Sequence, residues 1–225
     1  MATKSLLHFE GVDASTTFTD EISANIWTPA GNAQIDTAQF KFGSASGLFD
    51  GSGDYVDGPS GLYPTQDAWT LECFARFVNF TAGHPIISVN SGASLFLGPS
   101  SFSGGGAQST TKLALSSNNS TWDINNTNGA TTLSVDTWYH FALVFSGTTY
   151  KLFIGGTEEI SVTSSTKIYS TSKTLKLGRF SSDVWYHHGW IDEFRFSDTA
   201  IYTANFTPPA APFGLPSTGQ FFSCF

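Results

Sequence analysis

The amino-acid sequence predicts an all-β chain, an antiparallel two-sheet jelly-roll sandwich with minimal helix. Apolar residues recur with a period of two along short segments, the spacing at which alternate side chains share one face of a strand. No segment longer than ten residues carries a helical period. The 22 glycines, set among many serines and threonines, read as tight turns between those segments.

Along the chain, Leu71-Glu72-Cys73-Phe74-Ala75-Arg76-Phe77 alternates small or apolar residues with charged ones and reads as a strand. Short apolar runs place further strands at 86–89, 94–97, 112–116 and 121–125, while 102–108, with three consecutive glycines, reads as a mobile loop. Trp138-Tyr139-His140-Phe141-Ala142-Leu143-Val144-Phe145 is apolar on both faces, as a central strand covered on both sides must be. Residues 150–154 follow after a Ser-Gly-Thr-Thr turn, and Gly155-Gly156 closes the hairpin. Strands at 159–163, 175–177 and 190–196 complete the set, with short turns near 63–67 and 198–202. No linker-like break divides the 225 residues, so one domain spans 1–213 and an apolar tail occupies 214–225.

Charged residues are sparse at 12%, the net charge is −8, and the 10 basic residues are scattered. That excludes electrostatic nucleic-acid binding, which needs clustered Lys and Arg against phosphates. No apolar run approaches the length of a membrane helix, and the opening residues carry no secretory signal. Phe contributes 21 residues and Met 1, so the interior is built from stiff rings. Cys73 keeps step with Leu71, Ala75 and Phe77 as a buried free thiol, and Cys224 is the only other cysteine.

In a strictly alternating strand Asp192 shares a face with Phe194 and Phe196, and burial of an unanswered polar group costs about 2–7 kcal/mol. A cation, an arginine (Arg195 or Arg179) or backbone amides must answer it. Glycosidase chemistry is not expected: it needs two carboxylates facing one cleft, whereas Asp192-Glu193 and Glu158-Glu159 are adjacent pairs that point to opposite faces. His187-His188 likewise face opposite ways, without acids or cysteines at metal-ligand spacing. The Asp50/Asp54/Asp57 loop offers a turn or an exposed cation site. For sugar stacking the candidates are Tyr55, Trp122, Trp185 and Tyr186 in or near loops, with Asp54 as a polar partner. Phe213, Leu215, Phe221, Phe222 and Phe225 make the tail sticky, which predicts docking on its own sandwich or on a neighbouring subunit.

Eight motifs in order carry a family resemblance. They are Leu7-His8-Phe9-Glu10-Gly11, Phe42-Gly43, Phe49-Asp50-Gly51-Ser52-Gly53-Asp54-Tyr55-Val56 and Trp69-Thr70-Leu71-Glu72, then Trp138-Tyr139-His140-Phe141-Ala142, Lys151-Leu152-Phe153-Ile154-Gly155-Gly156, Leu177-Gly178-Arg179 and Gly189-Trp190-Ile191-Asp192-Glu193-Phe194-Arg195-Phe196. Over roughly residues 5–213 the chain resembles the laminin-G-like, concanavalin A-like lectin and glucanase jelly rolls. The resemblance implies a Ca²⁺ ion near the first and last strands, here at Glu10, Asp13 and Asp192. The ending Tyr202-Thr203-Ala204-Asn205-Phe206-Thr207-Pro208-Pro209 resembles the variant found in structural proteins of tailed phages. It implies a non-catalytic virion protein (decoration, fibre or tail component), assembled in the host cytoplasm, homo-oligomeric, bound to other capsid or tail proteins and able to adhere to host-surface glycans. The alternative is a calcium-dependent, carbohydrate-binding lectin-like module without an assembly role.

Overall fold

Both sheets form because alternating rows of large apolar side chains can be buried only against each other. The computed structural model describes residues 2–89, 94–100, 109–118, 120–168, 174–180 and 185–215. The first sheet runs β14 (Thr157–Thr163), β13 (Thr149–Ile154), β12 (Tyr139–Ser146), β7 (Ala68–Phe77), β16 (His188–Ser197), β5 (Ser46–Asp50) and β4 (Gln34–Asp36). β1 (Thr3–Leu7) joins the same edge of β16 as β5, so the two lie end to end along it. The second sheet runs β11 (Ile124–Thr132), β10 (Thr110–Leu115), β9 (Leu95–Pro99), β8 (Ile87–Val89), β15 (Leu175–Leu177), β6 (Tyr55–Asp57), β3 (Ile26–Ala30) and β2 (Phe18–Thr19). Every pairing is antiparallel, and no helix occurs among the described residues. The short turns expected at 63–67 and 198–202 are bends and irregular chain.

The core lies between the sheets. From β7 it takes Trp69, Leu71, Cys73, Ala75 and Phe77, and from β12 Phe141, Leu143 and Phe145. Leu95, Leu97, Leu113, Leu115, Leu175 and Leu177 face them from the second sheet. Cys73 is a buried free thiol as expected. Two strand groups escape the sequence pattern. β2 to β6 are short and turn-rich. β11 is Asn- and Thr-rich and begins at Ile124, later than its expected 121, because an edge strand paired on one side needs little apolar content. Its free edge is clipped by β14, whose Glu159 accepts hydrogen bonds from the N–H groups of Ala130 (2.6 Å) and Thr131 (2.8 Å) and from the Thr131 hydroxyl (2.6 Å).

The outer face of the first sheet is also buried. Thr70, Glu72 and Phe74 of β7 and His140, Ala142 and Val144 of β12 are shielded, although they point away from the core. The cover is the segment after β16. Tyr202 and Phe206 stack at 3.6 Å and pack on Ala142, Val144 and Phe153, and Phe213 closes on Phe74 and Leu6. Phe213 thus docks on its own sandwich, while Leu215 is exposed; Phe221, Phe222, Phe225 and Cys224 lie outside the described residues, as does the 102–108 loop.

The cover depends on a turn that only glycine fits. Gly156 has φ +80, its carbonyl accepts the Phe206 N–H (2.9 Å), and a Cβ there would collide with the Phe206 carbonyl oxygen. Gly156→Ala is expected to destabilise the fold by about 2 kcal/mol or more in chemical denaturation, with faster amide exchange over 199–213. Unchanged exchange there would separate the cover from this turn. Glu159→Ala should cost about 1 kcal/mol and deprotect Ala130 and Thr131 selectively, read by the same exchange measurement.

Candidate functional site

Asp192 sits where β16 passes from β5 to β1. The β16–β7 register shifts between Asp192 and Arg195, so Glu193 and Phe194 together oppose one residue of β7, and Glu193 takes a left-handed φ of 53. Cross-strand partners share a face. Asp192, opposite Phe74, and Arg195, opposite Glu72, therefore point outward, while Ile191, Phe194 and Phe196 enter the core. Strict alternation places Asp192 beside Phe194 and Phe196; the extra residue of the bulge moves it to the other face.

Backbone amides answer Asp192, whose Oδ2 accepts the N–H groups of Lys41 (2.8 Å) and Phe42 (3.1 Å). Its Oδ1 is buried with no hydrogen-bond partner, and burial raises the carboxyl to about 7 against the pull of the two amides. Glu10 accepts the N–H of Ser44 (2.9 Å), and Asp13 accepts the N–H (3.1 Å) and hydroxyl (3.2 Å) of Thr37. The three carboxylates thus hold one segment, 37–44, at separate points. No group of three or more His, Cys, Asp or Glu side chains able to hold a metal occurs among the described residues. Glu10, Asp13 and Asp192 are not gathered into one such cluster, and N–H donors of segment 37–44 face one oxygen of each.

Sequence reasoning missed the partners on either side of Asp192. Glu193 holds His8 (Oε1 to Nδ1, 2.7 Å) and accepts the Phe213 N–H at Oε2 (2.7 Å). The hydrogen bond to Glu193 raises the His8 pKa although burial opposes it. Under the cover, fully buried Glu72 accepts the Arg195 guanidinium (2.9 and 2.6 Å) and the Tyr202 hydroxyl (2.9 Å), and lies 3.1 Å from His140 Nε2. Burial pushes Glu72 upward, but the His140 hydrogen bond and the Arg195 charge outweigh it and hold the carboxyl below its ordinary range. The signal was available: Glu72, His140 and Arg195 all fall on the outward phase of their strands.

The stacking candidates gather on the outer face of the second sheet. Leu95 and Leu97 enter the core, so Phe96 between them points outward, as does Ala114 on β10. Phe180, Trp122 and Trp185 pack on them. Phe180 lies nearly parallel to both indoles, at 6.3 Å and 23° from Trp122 and at 5.6 Å and 27° from Trp185. Trp122 and Trp185 are partly exposed. Tyr186 pairs through its backbone with Arg179, whose guanidinium lies 4.4 Å from the Tyr55 ring, and Lys176 pairs with Asp57 beside it. Tyr55, Trp122, Trp185 and Tyr186 therefore share one face. Phe180 was missed although it directly follows the Leu177-Gly178-Arg179 motif, because nothing local shows which face its ring takes.

Asp54 does not join them. It is buried and staples two turns, accepting the N–H groups of Asn32 (2.5 Å) and Asp50 (2.9 Å), and burial raises its pKa. His187 and His188 do face opposite ways: His187 packs on Phe49 and Phe77 in the interior, where burial lowers it to about 3, and His188 meets Asn79 at 2.9 Å.

The Asp192 and His8 shifts set a pH dependence of one sign. Each group binds its proton more tightly folded than unfolded, so each stabilises most at low pH. The Asp192 contribution is complete below pH 3.8 and lost as pH rises through about 7; the His8 contribution is complete below 6.5 and lost above it. His187 and His84, which burial lowers to about 3 and about 4, act with the opposite sign as pH drops below 6.5, so the melting temperature should fall with rising pH between about pH 6.5 and 8.5. Asp192→Asn, which keeps an acceptor for the two amides, should flatten the fall and exceed the parent at pH 8.5 by on the order of 2 kcal/mol. A parent profile that is flat over this range would contradict the burial of an ionisable Asp192.

Comparison with known proteins supplies the family. A family model described as the concanavalin A-like lectin/glucanases superfamily matches residues 50–205. A search of curated proteins finds no match. Domain 4 of AbnA, a GH43 extracellular arabinanase from Geobacillus stearothermophilus solved with arabinotriose, is similar in structure, with a TM-score of 0.65 and 17% identity over 92% of this chain and 94% of that one. The binding domain of botulinum neurotoxin DC, solved with rat synaptotagmin II, gives a TM-score of 0.63 and 12% identity, covering 89% of this chain and 49% of that chain. The same toxin domain solved with SialylT gives 0.62 and 13% identity over 89% and 48%. At such identities the likeness is one of fold. The family model covers more than half of the chain, and the chain belongs to the concanavalin A-like lectin/glucanases superfamily.

Proposed function

We propose that this protein is a non-catalytic glycan-binding module whose platform is the outer face of the second sheet. The observation that carries the reading is the stack of Trp122, Phe180 and Trp185, partly exposed on a face opposite the core. Indole faces bind the C–H face of a sugar ring, and the polar groups beside Tyr55 offer hydrogen bonds to hydroxyls. Two proteins of similar fold were solved with arabinotriose and with SialylT, which supports a saccharide as the class of ligand here.

The non-catalytic part is supported by the neighbouring acids. Asp57 pairs with Lys176, and Asp123 accepts the Ser117 N–H (2.6 Å), whereas hydrolysis of a glycosidic bond wants two carboxylates flanking it. The module binds without a calcium bridge, since Glu10, Asp13 and Asp192 are engaged by segment 37–44. Assembly through the apolar end has less support, because Tyr202, Phe206 and Phe213 are spent on their own sheet. The setting expected from the sequence, the outside of a phage particle, suits such a module as the part that adheres to host-surface glycan.

Binding should be measured by calorimetry against arabinotriose, sialylated trisaccharides and common β-glucan fragments, with and without chelator. Saturable binding to one class is expected, unchanged by chelator and weakened about tenfold by Trp122→Ala or Trp185→Ala. Absence of binding to any of them, or binding indifferent to both substitutions, would refute the platform.

A further inference from the structure

Two histidines meet in the interior with nothing to bond. His84, from the loop between β7 and β8, and His187, just ahead of β16, are 2% and 0% exposed, and their ring centres lie 6.5 Å apart at an interplanar angle of 89°. All four ring nitrogens are buried without a hydrogen-bond partner. The backbone carbonyls of Tyr186, Trp190 and Arg76 bear on the two rings but do not reach hydrogen-bond geometry. Phe77 stands edge-on to both rings, Phe80 to His84 and Phe49 to His187, so the surrounding wall is aromatic. Each buried polar atom left unsatisfied costs about 1–3 kcal/mol. An apolar ring would fill the same space without that cost, so the imidazoles call for a partner that takes their lone pairs.

Charge and distance narrow what that partner is. Burial lowers His84 to about 4 and His187 to about 3, so both rings are neutral at neutral pH. The leading charge effects on them come from other histidines, including His188, whose ring meets Asn79. Among the described residues, no third His, Cys, Asp or Glu completes a metal cluster with them. A divalent ion, which wants three or four ligands and some countercharge, is therefore poorly matched. A closed-shell monovalent ion, Cu(I) or its analogue Ag(I), is satisfied by two neutral imidazoles in a line. Imidazole nitrogens bind metals at about 2.0–2.1 Å and stand roughly 1.1 Å from their ring centres, so a straight N–metal–N bridge sets the centres about 6.3 Å apart and a tetrahedral one about 5.1 Å. The observed 6.5 Å matches the straight bridge.

We propose that His84 and His187 form a two-coordinate site for Cu(I), held between one nitrogen of each ring inside the sandwich. The other nitrogen of each ring then donates to a backbone carbonyl, that of Tyr186 for His84 and that of Trp190 or Arg76 for His187, which fixes the tautomer. Entry is through the turn that carries His84, where Thr81 and Ala82 are exposed and Phe80 is half-buried.

The test uses the full chain with Cys224→Ser, which removes the tail thiol as a competing ligand. Cys73 is kept, because burial holds its thiol far above its ordinary pKa and therefore protonated. The protein is titrated anaerobically with Cu(I) against a chromophoric chelator and, in parallel, with Ag(I) and Zn(II). One equivalent of Cu(I) or Ag(I) is expected, with a Kd on the order of 1 μM or tighter, and Zn(II) should bind at least about tenfold more weakly. Nitrogen NMR of the imidazoles should shift at His84 and His187 and leave His8, His140 and His188 unmoved. Ag(I) should raise the melting temperature by several degrees in the parent and in His188→Gln, and leave His84→Gln unchanged. If His84→Gln fails to fold, the nitrogen shifts of the unsubstituted rings decide the matter. No binding, shifts at histidines other than these two, Zn(II) bound more tightly than Ag(I), or a thermal response that survives His84→Gln would overturn the site.

Discussion

A single buried carboxylate organises the first sheet. Glu72 lies on the outer face of β7 with no exposure, and an unpaired ion in that position costs several kcal/mol. Its partners come from three places: His140 one strand away, Arg195 on the other neighbour, and Tyr202 from the segment that crosses overhead. The pairing requires β16 to dock beside β7 in one register, and it requires the chain to turn back over the sheet. Arg195 also lies 4.2 Å from the Phe213 ring, so the same cation ties the far end of the cover. Replacing Arg195 leaves the Glu72 charge without its complement in a dry interior, and replacing Tyr202 removes a hydrogen bond to the same carboxylate.

The cover explains a stretch of sequence that looked like a family signature without a purpose. In Tyr202-Thr203-Ala204-Asn205-Phe206, the tyrosine hydroxyl satisfies Glu72, the Thr203 carbonyl accepts Lys151, the Asn205 side chain accepts the Glu158 N–H, and the Phe206 ring fills the space over Phe153. The side chains of Tyr202, Asn205 and Phe206 are set by contacts on the sheet beneath. What resembled a phage-type ending is, physically, the lid on a sheet whose two faces are both buried.

Much of the architecture was legible because it rests on local rules. The double-sided apolar pattern of residues 138–145 correctly placed a central strand, and Gly155-Gly156 correctly closed a hairpin. The errors arose where non-local partners decide. The bulge at Glu193 inserts a residue that no periodicity reveals, and it reverses the face of Asp192. Asp54 resembles an exposed acidic turn in sequence, yet the Asn32 and Asp50 amides draw it inside. Trp122, Trp185, Tyr186 and Tyr55 were visible as loop aromatics, but their convergence around Phe180 and Arg179 depends on strand order, which local patterns do not encode.

The arrangement of β16 bears on how the molecule is made. Its neighbours are β7, β5 and β1, so a strand near the end of the chain must insert between partners synthesised far earlier. Contacts of such long sequence separation are slow to form, and the pieces awaiting them present bare edges and apolar surface in the meantime. During translation β7 stays without β16, and its Glu72 side without a lid, until residues 188–213 have left the ribosome. Until β16 has emerged, the nascent domain is thus open to aggregation and proteolysis along the bare edge of β7.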